Sequence, residues 1–184
     1  MSEPILKTLY SESYIAAQVR RLGEEISRDF HGEEVLLVGV LKGAFLFFAD
    51  LVREVTVPTL IDFVRVASYG HGTESSGMVE LRQDLEFSVQ GRNLILVDDI
   101  LDSGCSLRFL YHHLHNRNPR TLKTCVLLDK KSTRKEAFEA DYVGITLDSG
   151  CVVGYGLDYQ ERYRTLKEIY LLQEVRDLPE KGLA

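Results

Sequence analysis

Three carboxylates, Asp98, Asp99 and Asp102, lie within five residues of one another. They follow the apolar run 94–97, which is typical of a buried strand. Two unit charges ~5 Å apart repel by about 3 kcal/mol at an effective dielectric constant of 20, so a cation or the hydroxyls of a sugar diol should offset the repulsion. Adjacent strand residues face opposite sides of a sheet, so joint action of Asp98 and Asp99 needs a turn at the strand end, which the segment 98–104 is expected to provide.

A short polar turn, Ser103, Gly104, Cys105 and Ser106, follows the acids and precedes a helical pattern. The first N–H groups of a helix are unpaired and carry a partial positive charge, so they can converge on a phosphate. Gly104 permits close approach of the backbone, and the two serine hydroxyls add donors. No lysine follows as in the Walker P-loop, so the pattern predicts a monoester phosphate held by neutral donors. Taken alone, Asp102 is equally well explained as a helix N-cap.

The composition is that of an ordinary globular chain, with 184 residues, 45% hydrophobic and 27% charged, which predicts one domain over 1–184. The net charge of −6 argues against a protein whose main partner is nucleic acid. The three cysteines lack metal-type spacing, which indicates free thiols in a reducing compartment. The N-terminal stretch does not resemble a signal peptide and no apolar run approaches a membrane span of ~20 residues, so we expect a cytoplasmic protein without a membrane partner.

Strand and helix patterns alternate along the chain. Apolar residues spaced by three or four predict a helix over 11–30, and further helices are predicted to begin at Gly43 and near Ser103. The predicted strands are 34–41, 59–69, 79–83, 94–97, 121–128, 141–147 and 151–157. This alternation predicts an α/β fold with a mostly parallel sheet and helices on both sides. Ligands bind such sheets beyond the carboxyl ends of the strands, here the segments 41–43, 68–77, 98–106 and 154–164.

The stretch LILVDDILDSGCSL resembles the signature of phosphoribosyltransferases that use phosphoribosyl pyrophosphate. From about residue 9 to residue 172, the chain resembles the hypoxanthine-guanine branch of that family, because VLLVGVLKGAFLFFADLVREV, SYG, LLDK and VVGYGLDYQERYR fall in its order and approximate spacing. The resemblance implies the type I phosphoribosyltransferase fold, a mostly parallel twisted sheet flanked by helices, with a small hood formed by N- and C-terminal segments. It also implies magnesium-dependent purine salvage, in which the 5-phosphoribosyl group passes from phosphoribosyl pyrophosphate to hypoxanthine, and to guanine, with release of pyrophosphate.

Roles for the acid-rich segment follow from the same resemblance. Asp98 and Asp99 match the acid pair that binds the ribose hydroxyls and Mg²⁺. Asp102 matches the aspartate proposed as general base or acid at purine N7. Residues 103–106 match the loop that binds the 5′-phosphate, with Cys105 contributing its backbone amide.

The resemblance assigns pyrophosphate to the triplet Leu41, Lys42 and Gly43, in which the family often has a cis peptide before the lysine, and to Arg164. Ser68 and Tyr69 match the start of a mobile lid. The glycines and serines that follow in 70–77 suit a loop that closes over a reacting centre.

The purine side of the implied site comprises Lys130, Cys151, Val152 and Asp158. Lys130 matches the donor to the 6-oxo group, although the adjacent Lys131 leaves an uncertainty of one position. Val152 matches a position whose backbone meets the purine edge, and Asp158 matches the acid that reaches a second Mg²⁺ through water. Cys151 stands where the family usually has an aromatic ring stacked on the purine, which puts base affinity and base choice in question.

Two other functions remain open at this point. One is a phosphoribosyltransferase for another base, either xanthine or uracil, the latter as in the RNA-binding regulators of this superfamily; the acidic net charge and Lys130 argue against the uracil case. The other is a non-catalytic binding module, against which the joint presence of Lys42, Asp102 and Asp158 argues. The apolar stretch 41–55 leaves a face that can pack a partner subunit, and we expect a homodimer or homotetramer.

Overall fold

The computed structural model describes residues 4–68 and 79–173. Nine strands and three helices follow one another along these residues. They are β1 (Ile5–Tyr10), α1 (Glu12–Asp29), β2 (Val35–Leu41), α2 (Phe45–Glu54), β3 (Thr59–Ser68), β4 (Val79–Gln83), β5 (Asn93–Leu101), α3 (Cys105–His115), β6 (Thr121–Lys130), β7 (Tyr142–Leu147), β8 (Val152–Val153) and β9 (Ile169–Gln173).

The central sheet has six strands in the order β4-β3-β2-β5-β6-β7. All neighbouring pairs are parallel except β3 and β4, so β4 is an antiparallel edge strand. From β2 the chain runs outward through β3, and from β5 it runs outward in the opposite direction through β6. The order therefore reverses between β2 and β5, and the carboxyl ends of these two strands form the topological switch point at which α/β sheets bind ligands.

The sheet is buried on both faces because its strands carry apolar side chains on both faces. On β5, Ile95 and Val97 pack in the cluster that includes α1 and α2, whereas Leu94 and Leu96 pack in the cluster that includes α3. These side chains are fully buried. The period-two alternation of a strand thus divides one apolar run between two cores, which holds β5 rigidly at the centre of the sheet.

Strands β1, β9 and β8 form a separate antiparallel sheet of three strands in that order. It joins the N-terminal segment to the C-terminal part of the described chain, and this is the hood that the family resemblance implied. The strand predicted over 151–157 is much shorter than expected, because Gly154, Tyr155 and Gly156 have φ angles of 99°, 50° and 99°, outside the strand region.

The predicted elements of the central sheet are confirmed with shifted ends, and Ser11 is the N-cap of α1. The turn predicted within 98–104 lies at 102–104, beyond the acid pair, because β5 continues to Leu101. Pairing of β5 with β2 ends at Val97, whereas pairing with β6 reaches Leu101. At the acids, β5 therefore pairs with a neighbouring strand on one side, that of β6. None of the helices in the described ranges is long and apolar enough to cross a membrane.

Candidate active site

A pocket of about 300 Å³ lies at the switch point, between the carboxyl ends of β2 and β5. It brings together three of the four segments that the sequence predicted as ligand-binding. The predicted residues that line it are Leu41, Lys42, Gly43, Asp98, Asp99, Asp102, Ser103, Gly104, Ser106, Asp158 and Arg164.

Asp98 and Asp99 both reach this pocket although no turn separates them. Burial, together with the charge of Asp99, raises the pKa of Asp98 well above its ordinary value. Burial likewise raises the pKa of Asp99, and the positive charge of Arg164 works against that rise. Asp99 packs closely against the β2–α2 connection, since a Cβ added at Gly43 would lie 2.6 Å from its Cγ. The pair is therefore a buried acidic site that gains from a cation or from hydroxyl donors.

The turn after β5 has the geometry of an anion site. Gly104, with φ of 86°, is the N-cap of α3, and the helix begins at Cys105. Ser103, Gly104 and Ser106 line the pocket, while Cys105 lines a different depression beside α3. The amide of Cys105 donates to Oγ of Ser103 at 3.3 Å, which tightens the turn. The N-terminus of α3 thus opens towards the pocket, where the partial positive charge of the helix end favours an anion.

Asp102 is not the N-cap of α3, because Gly104 holds that position. Its carboxylate instead accepts hydrogen bonds from one side chain at the end of β6 and one just beyond it. Nζ of Lys130 lies 3.3 Å from Oδ2, and Oγ1 of Thr133 donates to Oδ1. A half-exposed carboxylate held by an ammonium and a hydroxyl at the pocket edge is suited to exchange a proton with a ligand.

The structure distinguishes the two adjacent lysines. Lys130 is 11% exposed and contacts Asp102, whereas Lys131 is 64% exposed and lies 3.9 Å from a carboxylate oxygen of Asp129. Only Lys130 is directed towards the pocket edge. The choice of Lys130 over its neighbour therefore agrees with the geometry.

The residues assigned to pyrophosphate form a cationic cluster. The peptide bond between Leu41 and Lys42 is cis. Nζ of Lys42 and Nη2 of Arg164 lie 2.9 and 3.2 Å from the same oxygen of Glu161, and Nη2 of Arg164 also lies 2.7 Å from Asp158. Nε of Arg164 is buried and has no hydrogen-bond partner among the described residues. An arriving anion therefore finds a donor already in place.

This cluster continues into a second depression of about 500 Å³. Arg65 and Arg82 line it together with Lys42, Arg164 and Glu161. The two depressions share Leu41, Lys42, Val66 and Arg164, so they form one continuous surface at the carboxyl end of β2 and β3.

Other predicted residues lie apart from the pocket wall. Val152 is buried in β8, and Cys151 is exposed beside it in the hood; neither lines the pocket as far as the described residues extend. Ser68 is the last residue of β3, and Tyr69, with the rest of the predicted lid, lies outside the described residues.

The donor set around the pocket fits magnesium. In residues 4–68 and 79–173, no three His, Cys, Asp or Glu side chains converge on a point in the manner of an all-protein metal cage. Mg²⁺ is usually held by one or two carboxylates and completes its shell with water and phosphate oxygens. Asp98, Asp99 and Asp158 all line the pocket and supply carboxylates of that kind.

Three side chains that contact this region were not among the predicted residues: Thr133, Arg134 and Glu161. Each is an ordinary polar residue in a loop, and its partners lie elsewhere in the chain; Thr133 and Arg134 contact Asp102, 31 and 32 positions away, and Glu161 contacts Lys42, 119 positions away. The only hint in the sequence is their position just beyond the LLDK and GYGLDY stretches.

Comparisons with known proteins agree with this geometry. Residues 6–160 match the family model of the phosphoribosyl transferase domain. The chain is 43% identical over 170 residues to a hypoxanthine-guanine phosphoribosyltransferase of Aquifex aeolicus, with 92% of this chain and 96% of that protein covered. It is 43% identical over 173 residues to the Bacillus subtilis protein of the same name, covering 94% and 96%.

A similar result comes from solved structures. The crystal structure of a hypoxanthine-guanine phosphoribosyltransferase from Bacillus anthracis superposes with a TM-score of 0.85 at 40% identity, covering 92% of this chain and 99% of that one. Matches of this extent, with the signature residues gathered in one pocket, identify the family. The chain belongs to the phosphoribosyltransferases, in the group of the hypoxanthine-guanine phosphoribosyltransferases.

Proposed function

We propose that this protein transfers the 5-phosphoribosyl group from phosphoribosyl pyrophosphate to hypoxanthine and to guanine, forming the nucleoside monophosphate and pyrophosphate. The observation that carries the proposal is the contact between Lys130 and Asp102 at the rim of a pocket that also holds the acid pair and the phosphate turn. A hydrogen-bond donor for the purine, a proton acceptor, a ribose site and a phosphate site thus adjoin one another. The relatives that bear this activity in their names are about 43% identical over nearly the whole chain.

The substrate would lie across the switch point. Its 5′-phosphate is held by the backbone and hydroxyls of 103–106, and its ribose hydroxyls donate to Asp98 and Asp99. The pyrophosphate group meets Lys42 and Arg164, where the buried Nε of Arg164 supplies a donor. Glu161 must move away from these two cations when pyrophosphate arrives.

Magnesium would be held by Asp98, Asp99 and Asp158 together with substrate oxygens and water. When bound, it supplies positive charge that stabilises the pyrophosphate leaving group. The raised pKa values of the acid pair fit this role, because burial disfavours the charged carboxylates and a bound cation would offset that cost.

In the reaction, the bond from ribose C1 to pyrophosphate breaks, and its electron pair leaves with pyrophosphate. A purine ring nitrogen forms the new bond to C1, and Asp102 accepts the proton that the purine loses. Lys42 and Arg164 stabilise the charge that grows on the leaving group, while the nearby carboxylates favour the positive charge that develops on the ribose.

Lys130 gives the site its preference for a 6-oxo group. A fixed donor at this position pairs with the oxygen of hypoxanthine or guanine, but it faces the amino group of adenine, which is itself a donor. The contact of Lys130 with Asp102 keeps the amine at the pocket edge until the purine arrives.

The proposal also covers the domain organisation, the localisation and the oligomeric state. The chain acts as one domain over 1–184, in the cytoplasm, and as a homodimer or homotetramer. The exposed side chain of Phe45 on α2 and the largely apolar sequence of that helix support packing against a second subunit.

A panel of bases tests the proposal. The purified protein is mixed with phosphoribosyl pyrophosphate and Mg²⁺, and the change in absorbance is followed with hypoxanthine, guanine, xanthine, adenine and uracil in turn. We expect turnover of hypoxanthine and guanine and little with adenine or uracil. Turnover of uracil or adenine without hypoxanthine would refute the proposal, and absence of turnover with every base would favour a binding module.

A further inference from the structure

Arg134 lies in the loop after β6, and its side chain reaches back under the end of β5. Its Nε donates to the carbonyl oxygen of Asp102 at 3.0 Å, and its Nη2 donates to that of Leu101 at 3.2 Å. The same guanidinium forms a hydrogen bond and ion pair with Asp129 at the end of β6 and donates to the carbonyl of Phe138. One planar group therefore joins the ends of two strands and the loop that follows them.

The loop itself is also fastened to the phosphate turn. The amides of Lys135 and Glu136 donate to the carbonyl oxygen of Ser103 at 2.9 and 3.1 Å. The stem of Arg134 packs on Gly104, since a Cβ added there would lie 3.2 Å from Cδ of the arginine. Arg134 thus supports the backbone on both sides of the turn, from Leu101 to Gly104.

This support matters because β5 lacks a partner on one side at this point. Its pairing with β2 ends at Val97, so only β6 continues alongside the residues that carry the acids. Arg134 is 15% exposed and Asp129 is 9% exposed, so this ion pair is shielded from water more than a surface pair. A carboxylate that must exchange a proton needs a defined position, and a misplacement of ~1 Å can cost about 100-fold in rate.

We propose that Arg134 is a positioning residue, which fixes the end of β5 against the end of β6 and so sets the distance between the Asp102 carboxylate and the Lys130 amine. The inference rests on the proposed function, because it assigns these two groups to the purine. Arg134 donates to the Asp102 carbonyl and does not contact its carboxylate in the described geometry. It therefore acts through Asp102 and Lys130 rather than on the substrate.

Arginine suits the position because its guanidinium presents five donors in a rigid fork. Lysine keeps the charge but has a single nitrogen, so it cannot reach the carbonyls of Leu101 and Asp102 while also contacting Asp129 and Phe138. Arg134→Lys is consequently the informative variant, since it removes the fork and retains the charge.

The chain provides a matched control in Arg21. Its guanidinium also bonds two backbone carbonyls, of Val143 and Gly144, at 2.8 and 2.9 Å, and pairs with Glu25. It fastens α1 to β7 and does not line the pocket. Arg21→Lys therefore loses a comparable set of contacts without touching the ends of β5 and β6.

The experiment compares kcat, KM and thermal stability of the two variants with wild type. For Arg134→Lys we expect kcat with hypoxanthine to fall about 10- to 100-fold, with KM for phosphoribosyl pyrophosphate changed less than about threefold. The ratio of hypoxanthine to adenine turnover should also fall. Arg21→Lys should retain kcat within about twofold at a similar loss of thermal stability. A kcat for Arg134→Lys within about twofold of wild type, or equal losses in both variants, would overturn the proposal.

A second readout does not depend on activity. Hydrogen exchange of the backbone amides of 102–106 should be faster in Arg134→Lys than in wild type and unchanged in Arg21→Lys. Unchanged exchange in Arg134→Lys would overturn the proposal. If wild type turned over no 6-oxopurine, the proposed function would fail, and the exchange result alone would decide whether Arg134 positions the turn. If Arg134→Lys did not fold, Asp129→Asn would replace it, with a smaller loss of kcat expected and an unchanged kcat contradicting the proposal.

Discussion

Asp102 is held at the pocket edge by two side chains of different chemistry, the ammonium of Lys130 and the hydroxyl of Thr133. Both come from the segment around the end of β6, so the carboxylate is placed by a neighbouring strand as well as by its own. The contact with Lys130 brings the proposed proton acceptor next to the proposed hydrogen-bond donor to the purine. Each of these groups either takes part in the proton transfer or only binds the substrate.

Replacing Asp102 with asparagine separates the two roles. The amide keeps the shape of the side chain but does not accept a proton as a base, so we expect kcat to fall by about 100- to 10,000-fold. Affinity for phosphoribosyl pyrophosphate should change little, because the proposal assigns its ribose and phosphate groups to other residues. Steady-state kinetics and direct binding measurements give both numbers. Equal losses in turnover and in affinity would contradict the role of Asp102, and Asp148→Asn, an exposed carboxylate beyond β7, serves as the control.

Replacing Glu161 is expected to strengthen the binding of pyrophosphate, whereas replacing Asp102 is expected to lower turnover. Its carboxylate forms ion pairs with Lys42 and Arg164. These two cations hold the pKa of Glu161 below its usual value. Glu161→Gln removes a competing negative charge, so Mg²⁺-pyrophosphate should bind more tightly. Because these ion pairs are exposed and screened by solvent, the gain should not exceed about fivefold. Titration calorimetry measures it.

The control for Glu161 is Glu34→Gln. Glu34 pairs with Arg92 at 3.1 Å and lines a separate depression that includes the start of β5. Its replacement should leave the affinity for pyrophosphate unchanged. Weaker binding of pyrophosphate by Glu161→Gln than by wild type would show that Glu161 assists the anion instead of competing with it.

At the scale of elements, the β2–α2 connection and the end of β5 approach each other so closely that only glycine fits at Gly43. A Cβ there would collide with the carboxylate of Asp99, and the carbonyl of Gly43 in turn lies against Gly156 in the loop that carries Asp158. The β2–α2 connection thus contacts both the end of β5 and the loop that carries Asp158.

Gly43→Ala should therefore impair the site more than the fold. We expect the variant to lose at least about tenfold in kcat/KM for phosphoribosyl pyrophosphate, since Asp99 must move. Its loss in free energy of unfolding should be about 1–3 kcal/mol, as for other overpacked positions. Gly39→Ala is the comparison, because its Cβ would meet the rings of Phe48 and Phe63 at 3.0 Å. That variant should lose stability and retain kcat/KM; the reverse order of effects would contradict this account.

The elements of the central sheet could be predicted from sequence because each carries its own apolar period, as the alternation along β5 illustrates. The hood was implied only by the family resemblance: β1 and β9 are half-exposed strands that pair over more than 150 positions, and neither has a strong pattern of its own. The turn expected within 98–104 comes only after Asp98 and Asp99, because local alternation does not reveal that β2 stops pairing at Val97 while β6 continues. Arg134 was missed because its partners are defined only by the folded chain.

In the molecule as a whole, the strand ends that form the site are held by the two hydrophobic cores. The carboxyl ends of β2 and β5 are anchored in both cores, and long-range polar contacts fasten the outer layers. One of these joins α1 to the sheet, where Asp29 accepts hydrogen bonds from Tyr142 at 2.8 Å and from Lys123 at 3.0 Å. The hydrogen bond from Tyr142, followed by that from Lys123, lowers the pKa of Asp29.

This contact predicts a small dependence of stability on pH. Because the pKa of Asp29 is lowered on folding, its contribution is fully present above about pH 4, the ordinary aspartate value, and is lost as the pH falls through the lowered pKa. Asp29 is about one-third exposed, so the contribution should be no more than about 1 kcal/mol. Asp29→Asn should be less stable than wild type at pH 7, and the difference should vanish in strong acid. Denaturant unfolding at several pH values measures this difference. Replacement of the exposed Glu24 on the same helix, Glu24→Gln, is the control. A difference in stability between Asp29→Asn and wild type that grows on acidification would contradict the assignment.

The most direct test of the whole account is a crystal structure of the protein with a bound nucleoside monophosphate and Mg²⁺. We predict that the phosphate lies against the amides and hydroxyls of 103–106, that the ribose hydroxyls contact Asp98 and Asp99, and that the 6-oxo group accepts from Lys130. A phosphate bound anywhere other than at 103–106 would contradict the central claim that the turn after β5 is the phosphate site.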